Sequence, residues 1–163
     1  MSHYDDHDSG YGWGTPAWVV DPLSAAIGGF DLDPASGAEP KPYADVRYTE
    51  SDDGLSSDWF GDVWLNPPDG RNANPEWAER ATNQFFESDV DTITALIPAA
   101  TDTGWFQDHY AKADYITFIR GRVEFEGGDG RPSFASVIAS FGDFSPEYIQ
   151  ALGGLGEVFS NQR

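Results

Sequence analysis

Apolar and polar positions along the chain follow two periods, one typical of helices and one typical of strands. Thr15-Pro16 predicts a helix start with Thr15 as the N-cap, and apolar residues at helical spacing follow as far as Ile27. Because Pro22 interrupts this pattern, we expect a short turn and then a helix recapped by Asp21. Gly28-Gly29 is predicted to end that helix.

Short apolar runs predict the strands of a sheet, and helical patterns lie between them. The strand-like runs are residues 29–35, 45–49, 62–65, 92–98, 115–126 and 133–141. We expect helices that begin at Asn74-Pro75, capped by Asn74, near Thr103, capped by Asp102, and at Ser145-Pro146. Gly153-Gly154 is predicted to end the last helix. The last two strand-like runs are joined by a Gly-rich loop and predict an antiparallel hairpin.

Strands that alternate with helices predict an α/β fold. We expect a mixed, mostly parallel sheet with a C-terminal antiparallel hairpin. The length fits one domain over residues 14–163, after a polar, acidic tail over residues 1–13 that we expect to be mobile. The tail contains His3, Asp5, Asp6, His7 and Asp8, which could in principle hold a metal. Neighbouring ligands without a rigid frame are more typical of a solvated tail.

The charge balance adds a constraint on the surface and its solvent. Nine Lys and Arg stand against 28 Asp and Glu, a net charge of −19, while 39% hydrophobic residues supply enough burial for a folded core. Lys is nearly absent, with Lys41 and Lys112 alone, and Asp outnumbers Glu. This composition is typical of proteins in molar salt, where screening acts over about 3 Å. The alternative is an acidic decoy that mimics nucleic acid.

Other residue counts exclude several kinds of site. The absence of Cys excludes disulfides, Cys-ligated zinc and a Cys nucleophile. Ser51-Asp52-Asp53-Gly54 fails as an EF-hand because Phe60 stands where the last glutamate would be, so we expect no metal site. No signal peptide or long apolar run is visible, and we expect a soluble, cytoplasmic chain that does not contact membranes.

The sharpest local motif is Leu65-Asn66-Pro67-Pro68, at the carboxyl end of a predicted strand. Ligands of open α/β sheets bind outside that end of the strands. The Asn66 carboxamide oxygen and the Pro67 carbonyl are two uncharged acceptors, which could hold both hydrogens of an exocyclic amine and direct its lone pair at an electrophile. The alternative is a turn that only ends the strand.

An ordered set of motifs extends this observation to most of the chain. The motifs are Thr15-Pro16, Phe30-Asp31-Leu32-Asp33-Pro34-Ala35-Ser36, Tyr48-Thr49, Asp53-Gly54-Leu55, Asp58-Trp59, Trp64-Leu65-Asn66-Pro67-Pro68, Pro98-Ala99, Thr101-Asp102-Thr103, Trp105-Phe106, Gly121-Arg122 and Phe125. Together they resemble the small DNA N6-adenine methyltransferases found mostly in bacteriophages and prophages. The resemblance extends over roughly Gly14 to Phe141. If the chain is virus-encoded, its compartment would be the host cytoplasm.

The resemblance implies a Rossmann-like, S-adenosylmethionine-dependent enzyme that methylates a base amine in double-stranded DNA. Asn66, Pro67 and Pro68 match the catalytic motif of the family. The implied reaction needs no metal and no covalent enzyme intermediate. The motif alone does not separate adenine N6 from cytosine N4, although the resemblance favours adenine. A methyltransferase fold without activity, or an acidic DNA mimic, is the alternative from another functional class.

The same resemblance implies where the cofactor binds. Asp33, Ala35 and Ser36 fall on the cofactor segment, and Thr15-Pro16 on the segment that lies against the methionine moiety. Asp53 is a candidate for contact with the adenine amine or the ribose of the cofactor. Simpler structural roles are capping for Thr15 and turn formation for Asp53.

Asp69 departs from the family pattern. The family usually has an aromatic residue there, whose ring stacks on the flipped base, an interaction worth about 1–3 kcal/mol. Either another ring, such as Trp64 or Trp77, substitutes for it, or the enzyme is impaired. The Asp69 carboxylate could also assist loss of the amine proton.

The acidic surface conflicts at first sight with a polyanionic substrate. Counterion release, which drives most phosphate binding, fades in concentrated salt, so a basic surface would gain little there. A local arginine set remains as the candidate for DNA contact, and partnership with nearby carboxylates is its alternative role. This set is Arg71 after the motif, Arg120 and Arg122 on one strand face, and Arg131 in the loop. Residues 69–74 and 126–132 are the loops expected to carry sequence specificity.

Overall fold

Helices and strands alternate along the chain in a computed structural model that describes residues 14–37, 42–125 and 134–162. The expected tail over residues 1–13 and the whole loop over residues 126–132, with Arg131, lie outside these ranges. The helices are α1 (Ala17–Ile27), α2 (Ala73–Glu87), α3 (Gly104–Asp108) and α4 (Pro146–Leu155), with 3-10 turns at Glu50–Asp52 and Tyr110–Lys112. The strands are β1 (Phe30–Asp33), β2 (Ala44–Arg47), β3 (Phe60–Leu65), β4 (Asp89–Pro98), β5 (Tyr115–Ile119), β6 (Ser136–Phe141) and β7 (Gly156–Ser160).

The described strands form one mixed sheet in the order β2-β1-β3-β4-β6-β5-β7. The first four strands of this order are parallel, and the pairings of β4 with β6, β6 with β5 and β5 with β7 are antiparallel. The α/β class, the parallel first part and the β5–β6 hairpin are thereby confirmed. Strand β7, which the sequence pattern does not predict, adds a third antiparallel pairing, so parallel pairings do not outnumber antiparallel ones.

Helices cover both faces of this sheet, and each face has its own apolar cluster. On one face, Val19 and Leu23 of α1 and Tyr148 of α4 pack on Phe30 and Trp64. On the other face, α2, α3 and the turn after α3 cover the central strands through Trp77, Phe106 and Tyr110. Burial on both faces explains why β4 is almost entirely buried from Thr92 to Ile97. None of the described helices is long and apolar enough to span a membrane.

Helix α1 corrects the first sequence prediction. It is one continuous helix with Pro22 inside it, and Asp21 does not recap it. Proline removes one backbone donor, but Val19, Val20 and Leu23 are fully buried on the face that packs against the sheet. Thr15 does not cap this helix, because the N-cap position is Pro16.

The starts of α2 and α3 correct two further predictions. Asn74 does not cap α2, since its backbone N–H already donates to the carbonyl of Gly70 inside the first turn (3.0 Å). The cap of α3 is Thr103 and not Asp102, because the Thr103 hydroxyl accepts from the N–H of Phe106 (3.3 Å). Both corrections move the helix boundary by one or two residues.

The end of the chain holds the largest local difference from the sequence pattern. Ser145 caps α4 as predicted, but the helix continues through Gly153-Gly154 to Leu155. Burial of Leu152 and Leu155 against the sheet offsets the low helix propensity of glycine. The chain then enters β7 at Gly156, whose backbone lies directly against Phe118.

Candidate active site

The carboxyl ends of β1 and β3 form the edge at which the candidate residues meet. β2 pairs with one side of β1 and β3 with the other, so the chain changes direction across the sheet between β1 and β3. Ligands of open α/β sheets bind in the crevice at such a point. Asp33 is the last residue of β1, and Asn66 directly follows β3, so the fold brings both residues to this edge.

Asn66 is held through Thr15. The Asn66 Nδ2 donates to Thr15 Oγ1 (3.2 Å), and Thr15 is only 3% exposed. Tyr43 fixes Thr15 in turn, because its hydroxyl accepts from the Thr15 N–H (2.6 Å) and donates to the Thr15 carbonyl (3.1 Å). With the amide nitrogen directed at Thr15, the Asn66 carboxamide oxygen is left as an acceptor. Within the described ranges, no hydrogen bond occupies that oxygen.

The residues after Asn66 form a rigid turn. Pro67 and Pro68 are buried, and neither can donate a backbone hydrogen bond to a strand. Asp69 is half-buried, and its Oδ1 accepts from Asn74 Nδ2 (2.8 Å). This bond ties the turn to the first turn of α2, so the motif is fixed at one end by Thr15, 51 residues away in the chain, and at the other by the nearby Asn74.

A pocket opens beside this turn. Its walls are Asn66, Pro67, Asp69, Leu96, Pro98, Phe125 and Phe134. Two of these residues, Phe125 and Phe134, are aromatic. Neither is Trp64 or Trp77, the rings suggested as substitutes for the missing aromatic residue at position 69. Trp64 (0% exposed) and Trp77 (2% exposed) are buried in the clusters on opposite faces of the sheet. The expectation that Trp64 or Trp77 stacks on a base is therefore wrong, because both indoles are core residues.

The segment after β1 forms a buried acidic turn. Asp33 is 2% exposed, and its Oδ1 accepts from the N–H of Ala35 (3.1 Å), a bond typical of Asx turns. The backbone of Tyr48 holds this turn from both sides, since its N–H donates to the Asp33 carbonyl and its carbonyl accepts from the N–H of Ser36, each at 2.9 Å. Ala35 and Ser36 are buried beside Asp33.

The loop that carries Asp53 packs against the same turn. A Cβ on Gly54 would lie 2.0 Å from the carbonyl oxygen of Pro34, so only glycine allows this close approach. Asp53 is exposed and is the only non-glycine residue of the described ranges with positive φ (57°), a conformation that is strained for most residues. Its Oδ2 accepts from the Ser56 hydroxyl (2.7 Å). Asp53 therefore lies beside the Asp33 turn, as a shared ligand would require.

Tyr48, next to this turn, stays a neutral phenol. Burial raises the pKa of its hydroxyl, and the carboxylates of Asp58 and Asp52 raise it further. The hydroxyl donates to the carbonyl of Asp58 (2.7 Å).

In the described residues, no group of three or more His, Asp or Glu side chains could hold a metal ion.

Comparison with known proteins identifies the family. A family model described as DNA N-6-adenine-methyltransferase (Dam) matches residues 3–141. The chain belongs to this family. It is a DNA N6-adenine methyltransferase, as the ordered motifs predict, and it is therefore an enzyme. A mixed seven-stranded sheet flanked by helices is consistent with a methyltransferase fold. No curated protein matches the chain.

The arginines of the methyltransferase lie partly where the sequence predicts. Arg71 is exposed in the turn between Asp69 and α2. Arg120 and Arg122 are exposed, but they follow β5 and do not share a strand face, because the strand ends at Ile119 and Gly121 has positive φ (79°). Since β5 runs in the same direction as β4, both arginines lie at the edge that carries Asn66.

Three residues of the methyltransferase site were not singled out by sequence reasoning. Tyr43, which holds Thr15, carries no sequence signal, because its partner is 28 residues away. Phe125 belongs to one of the motifs shared with the family, but without an assigned role. Phe134 lies in a predicted strand-like run that gave no indication of its role. The two phenylalanines become visible only when the fold brings them to the Asn66 turn.

Proposed function

We propose that this methyltransferase acts through Asn66, Pro67 and Pro68, which hold the N6 amine of an adenine flipped out of double-stranded DNA. The observation that carries the proposal is the hydrogen bond from Asn66 Nδ2 to Thr15 Oγ1, which directs the carboxamide oxygen away from Thr15. A carboxamide held this way presents an acceptor and no donor to the amine. The Asn66 oxygen and the Pro67 carbonyl accept its two hydrogens.

This arrangement prepares the amine for methylation by direct displacement. Accepting both hydrogens localises the nitrogen lone pair, which is otherwise delocalised into the ring, and orients it. S-adenosylmethionine, when bound, supplies an electrophilic methyl group on its sulfonium sulfur. Transfer of this methyl would form the nitrogen–carbon bond as the sulfur–carbon bond breaks, and the methylated amine would then lose one proton to solvent. Asp69, which lines the pocket, is the proposed group that would assist this proton loss.

Asp33, Ala35, Ser36 and Asp53 are the residues that would hold the cofactor, and the backbone of Thr15-Pro16 would lie against its methionine moiety, since the Thr15 hydroxyl already accepts from Asn66. The chemistry of this set fits, because carboxylates and backbone carbonyls accept from hydroxyl, amine and ammonium groups, all of which S-adenosylmethionine carries. The close packing of Gly54 on Pro34 supports a shared site for the two acidic segments. The position at the change of direction between β1 and β3 supports it too, since this is where Rossmann-like folds bind nucleotides.

Arg71, Arg120 and Arg122 are the proposed contacts to phosphate, and the loop over residues 69–74 is a proposed reader of base sequence. All three arginines are exposed near the edge that carries Asn66. Extrusion of the target base into the pocket is required because its amine is not accessible in line with a methyl donor inside a duplex. We assign residues 14–163 to a single domain.

High salt is the proposed working environment. A net charge of −19 with two Lys residues supports it, because self-repulsion of that size is screened in molar salt. A phage or prophage origin, which the resemblance implies, would put this enzyme in the cytoplasm of such a host.

The decisive experiment is transfer of labelled methyl from S-adenosylmethionine to unmethylated duplex DNA in molar KCl, followed by nucleoside mass spectrometry. We expect N6-methyladenine from the wild-type chain, none from Asn66→Ala, and a wild-type yield from Asn83→Ala, an exposed asparagine of α2. Asn66→Ala should still bind S-adenosylmethionine.

Each other outcome contradicts a specific part of the proposal. N4-methylcytosine would reassign the substrate, and cofactor binding without any product would indicate an inactive methyltransferase fold. Failure to bind the cofactor or DNA would favour the acidic mimic. Unchanged turnover in Asn66→Ala would remove Asn66 from the active site.

A further inference from the structure

The pocket beside Asn66 lacks one component that an extruded base needs. A base removed from a duplex loses its stacking neighbours, and an aromatic side chain restores about 1–3 kcal/mol of that interaction. The residue after Pro68 is Asp69, which has no ring and whose Oδ1 is bonded to Asn74. A ring from another part of the chain is therefore required if the pocket is to hold a base well.

Two phenylalanines line the pocket together with the Asn66 turn. Phe125 follows β5 and is anchored through Val123, which is 0% exposed in the cluster beneath α4. Phe134 precedes β6 and is fixed by its neighbour Ala135, whose carbonyl accepts from the N–H of Ala99 (2.8 Å). Both rings are only partly buried, so part of each ring is accessible from the pocket.

Among the described residues, no other aromatic side chain lines this pocket. Trp64 and Trp77 are buried core residues. Phe118 (48% exposed) and Phe159 (53% exposed) pair with each other on β5 and β7, with ring centroids 5.0 Å apart. Neither of them is among the residues that line the pocket.

We infer that Phe125 and Phe134 supply the aromatic surface on which the flipped adenine stacks, in place of the missing ring at position 69. The inference rests on the proposed function of the Asn66 turn. The motif then holds the amine, and the segments that flank the β5–β6 connection hold the faces of the base. Separate elements therefore hold the amine and stack on the base, so an aromatic residue is not required at position 69.

Leucine and tyrosine substitutions test this assignment without opening a cavity. Phe125→Leu and Phe134→Leu keep most of the apolar volume but remove the ring, whereas Phe125→Tyr and Phe134→Tyr keep the ring. We expect each leucine variant to lower kcat/KM for unmethylated duplex DNA by about five- to 150-fold, with unchanged affinity for S-adenosylmethionine. The tyrosine variants should stay within about twofold of wild type. Phe118→Leu, outside the pocket, is the matched control.

A second variant separates stacking from packing. Asp69→Tyr returns a ring to the same pocket but also removes the Asp69 carboxylate, so the comparison is made within that background. There, the Phe125→Leu, Phe134→Leu double substitution should lower kcat/KM by less than it does when Asp69 is present. A leucine loss that tyrosine restores supports the assignment for that ring. Wild-type kcat/KM in the double leucine variant, or equal losses in leucine and tyrosine variants, would overturn it. Failure of the proposed function itself would appear differently, as absence of N6-methyladenine from the wild-type chain.

Discussion

Replacing Thr15 with valine tests how the Asn66 carboxamide is oriented. Valine has nearly the shape of threonine but cannot accept the hydrogen bond from Asn66 Nδ2, which measures 3.2 Å. Thr15 is 3% exposed, so water can replace the lost hydroxyl only poorly. Without that acceptor, the amide can rotate and present its nitrogen, a donor, to the amine of the base.

The size of the effect follows from the single bond that is lost. A hydrogen bond between uncharged groups contributes about 0.5–1.5 kcal/mol net. If this free energy serves to keep the productive orientation of Asn66, its loss lowers kcat by about 2- to 13-fold. The backbone contacts of Thr15 with Tyr43 do not involve the side chain, so the local fold should persist.

The assay separates the orienting role of Thr15 from contact with the cofactor. kcat is measured with saturating DNA and S-adenosylmethionine, and cofactor affinity by titration calorimetry of the same variants. Thr15→Ser keeps the hydroxyl and is the control. We expect Thr15→Val to lose kcat at unchanged cofactor affinity, and Thr15→Ser to lose much less.

Two results would refute this reasoning. A weaker cofactor affinity with wild-type kcat would mean that the Thr15 side chain acts on the methionine moiety and not through Asn66. Equal losses in the valine and serine variants would mean that shape, and not the hydroxyl, is what the site requires.

Three further predictions concern charge and packing. Burial raises the pKa of Asp62, so the folded state disfavours its charged form, and the free energy of unfolding increases as pH falls through this raised pKa. Asp62→Asn should therefore stabilise the fold by about 0.2–1 kcal/mol at pH 7 and by less in acid. A gain in thermal melts that does not depend on pH would contradict this. Gly54→Ala should destabilise the fold by about 1–3 kcal/mol and weaken cofactor binding, because the added Cβ would meet the Pro34 carbonyl. Gly153→Ala, whose added Cβ would lie in open space on α4, should instead stabilise the fold by about 0.5–1 kcal/mol. Similar melting temperatures for the two variants would refute this. DNA binding should show a slope of log K against log salt no steeper than about −3, measured by fluorescence anisotropy, and a slope near −6 or beyond would contradict the small arginine set.

The alternation of strands and helices was predictable because burial imposes it locally. A central strand such as β4, buried on both faces, is a nearly continuous run of apolar residues, broken only by Thr92 and Thr94 from Thr92 to Ile97. The edge strand β7 was missed because it is partly exposed and closely follows Gly153-Gly154, a pair typical of the end of a helix. The order of strands depends on pairing between distant segments, so the pattern of one segment does not predict it.

The wrong helix caps have a common physical cause. Thr15 and Asn74 have side chains that often cap helices, and both precede helical patterns. In the fold, each side chain forms a hydrogen bond elsewhere: Thr15 with the distant Asn66, and Asn74 with Asp69 in the preceding turn. Both partners belong to the Asn66 turn, so residues that depart from the local pattern are those that build the candidate site.

The candidate site was predictable only in its local part. Asn66-Pro67-Pro68 is recognisable because a polar residue and two prolines end a strand, which is a property of consecutive residues. Tyr43, Phe125 and Phe134 act through contacts with segments far away in the chain. Proximity in sequence also fails to identify the stacking ring, since Trp64 lies next to the motif but is a buried core residue.

The distribution of charge reconciles an acidic chain with an anionic substrate. Of nine Lys and Arg residues in the sequence, Arg71, Arg120 and Arg122 are exposed near the edge that carries Asn66, so at least a third of the positive charge lies near the candidate site. Three phosphate contacts would release few counterions, with a salt slope of about −2.7. An enzyme that binds DNA this way loses little affinity when salt rises, and it depends instead on contacts that salt does not screen, such as stacking and hydrogen bonds to the extruded base. The acidic surface and the aromatic pocket are therefore parts of one arrangement, in which the base, more than the phosphates, supplies the binding free energy.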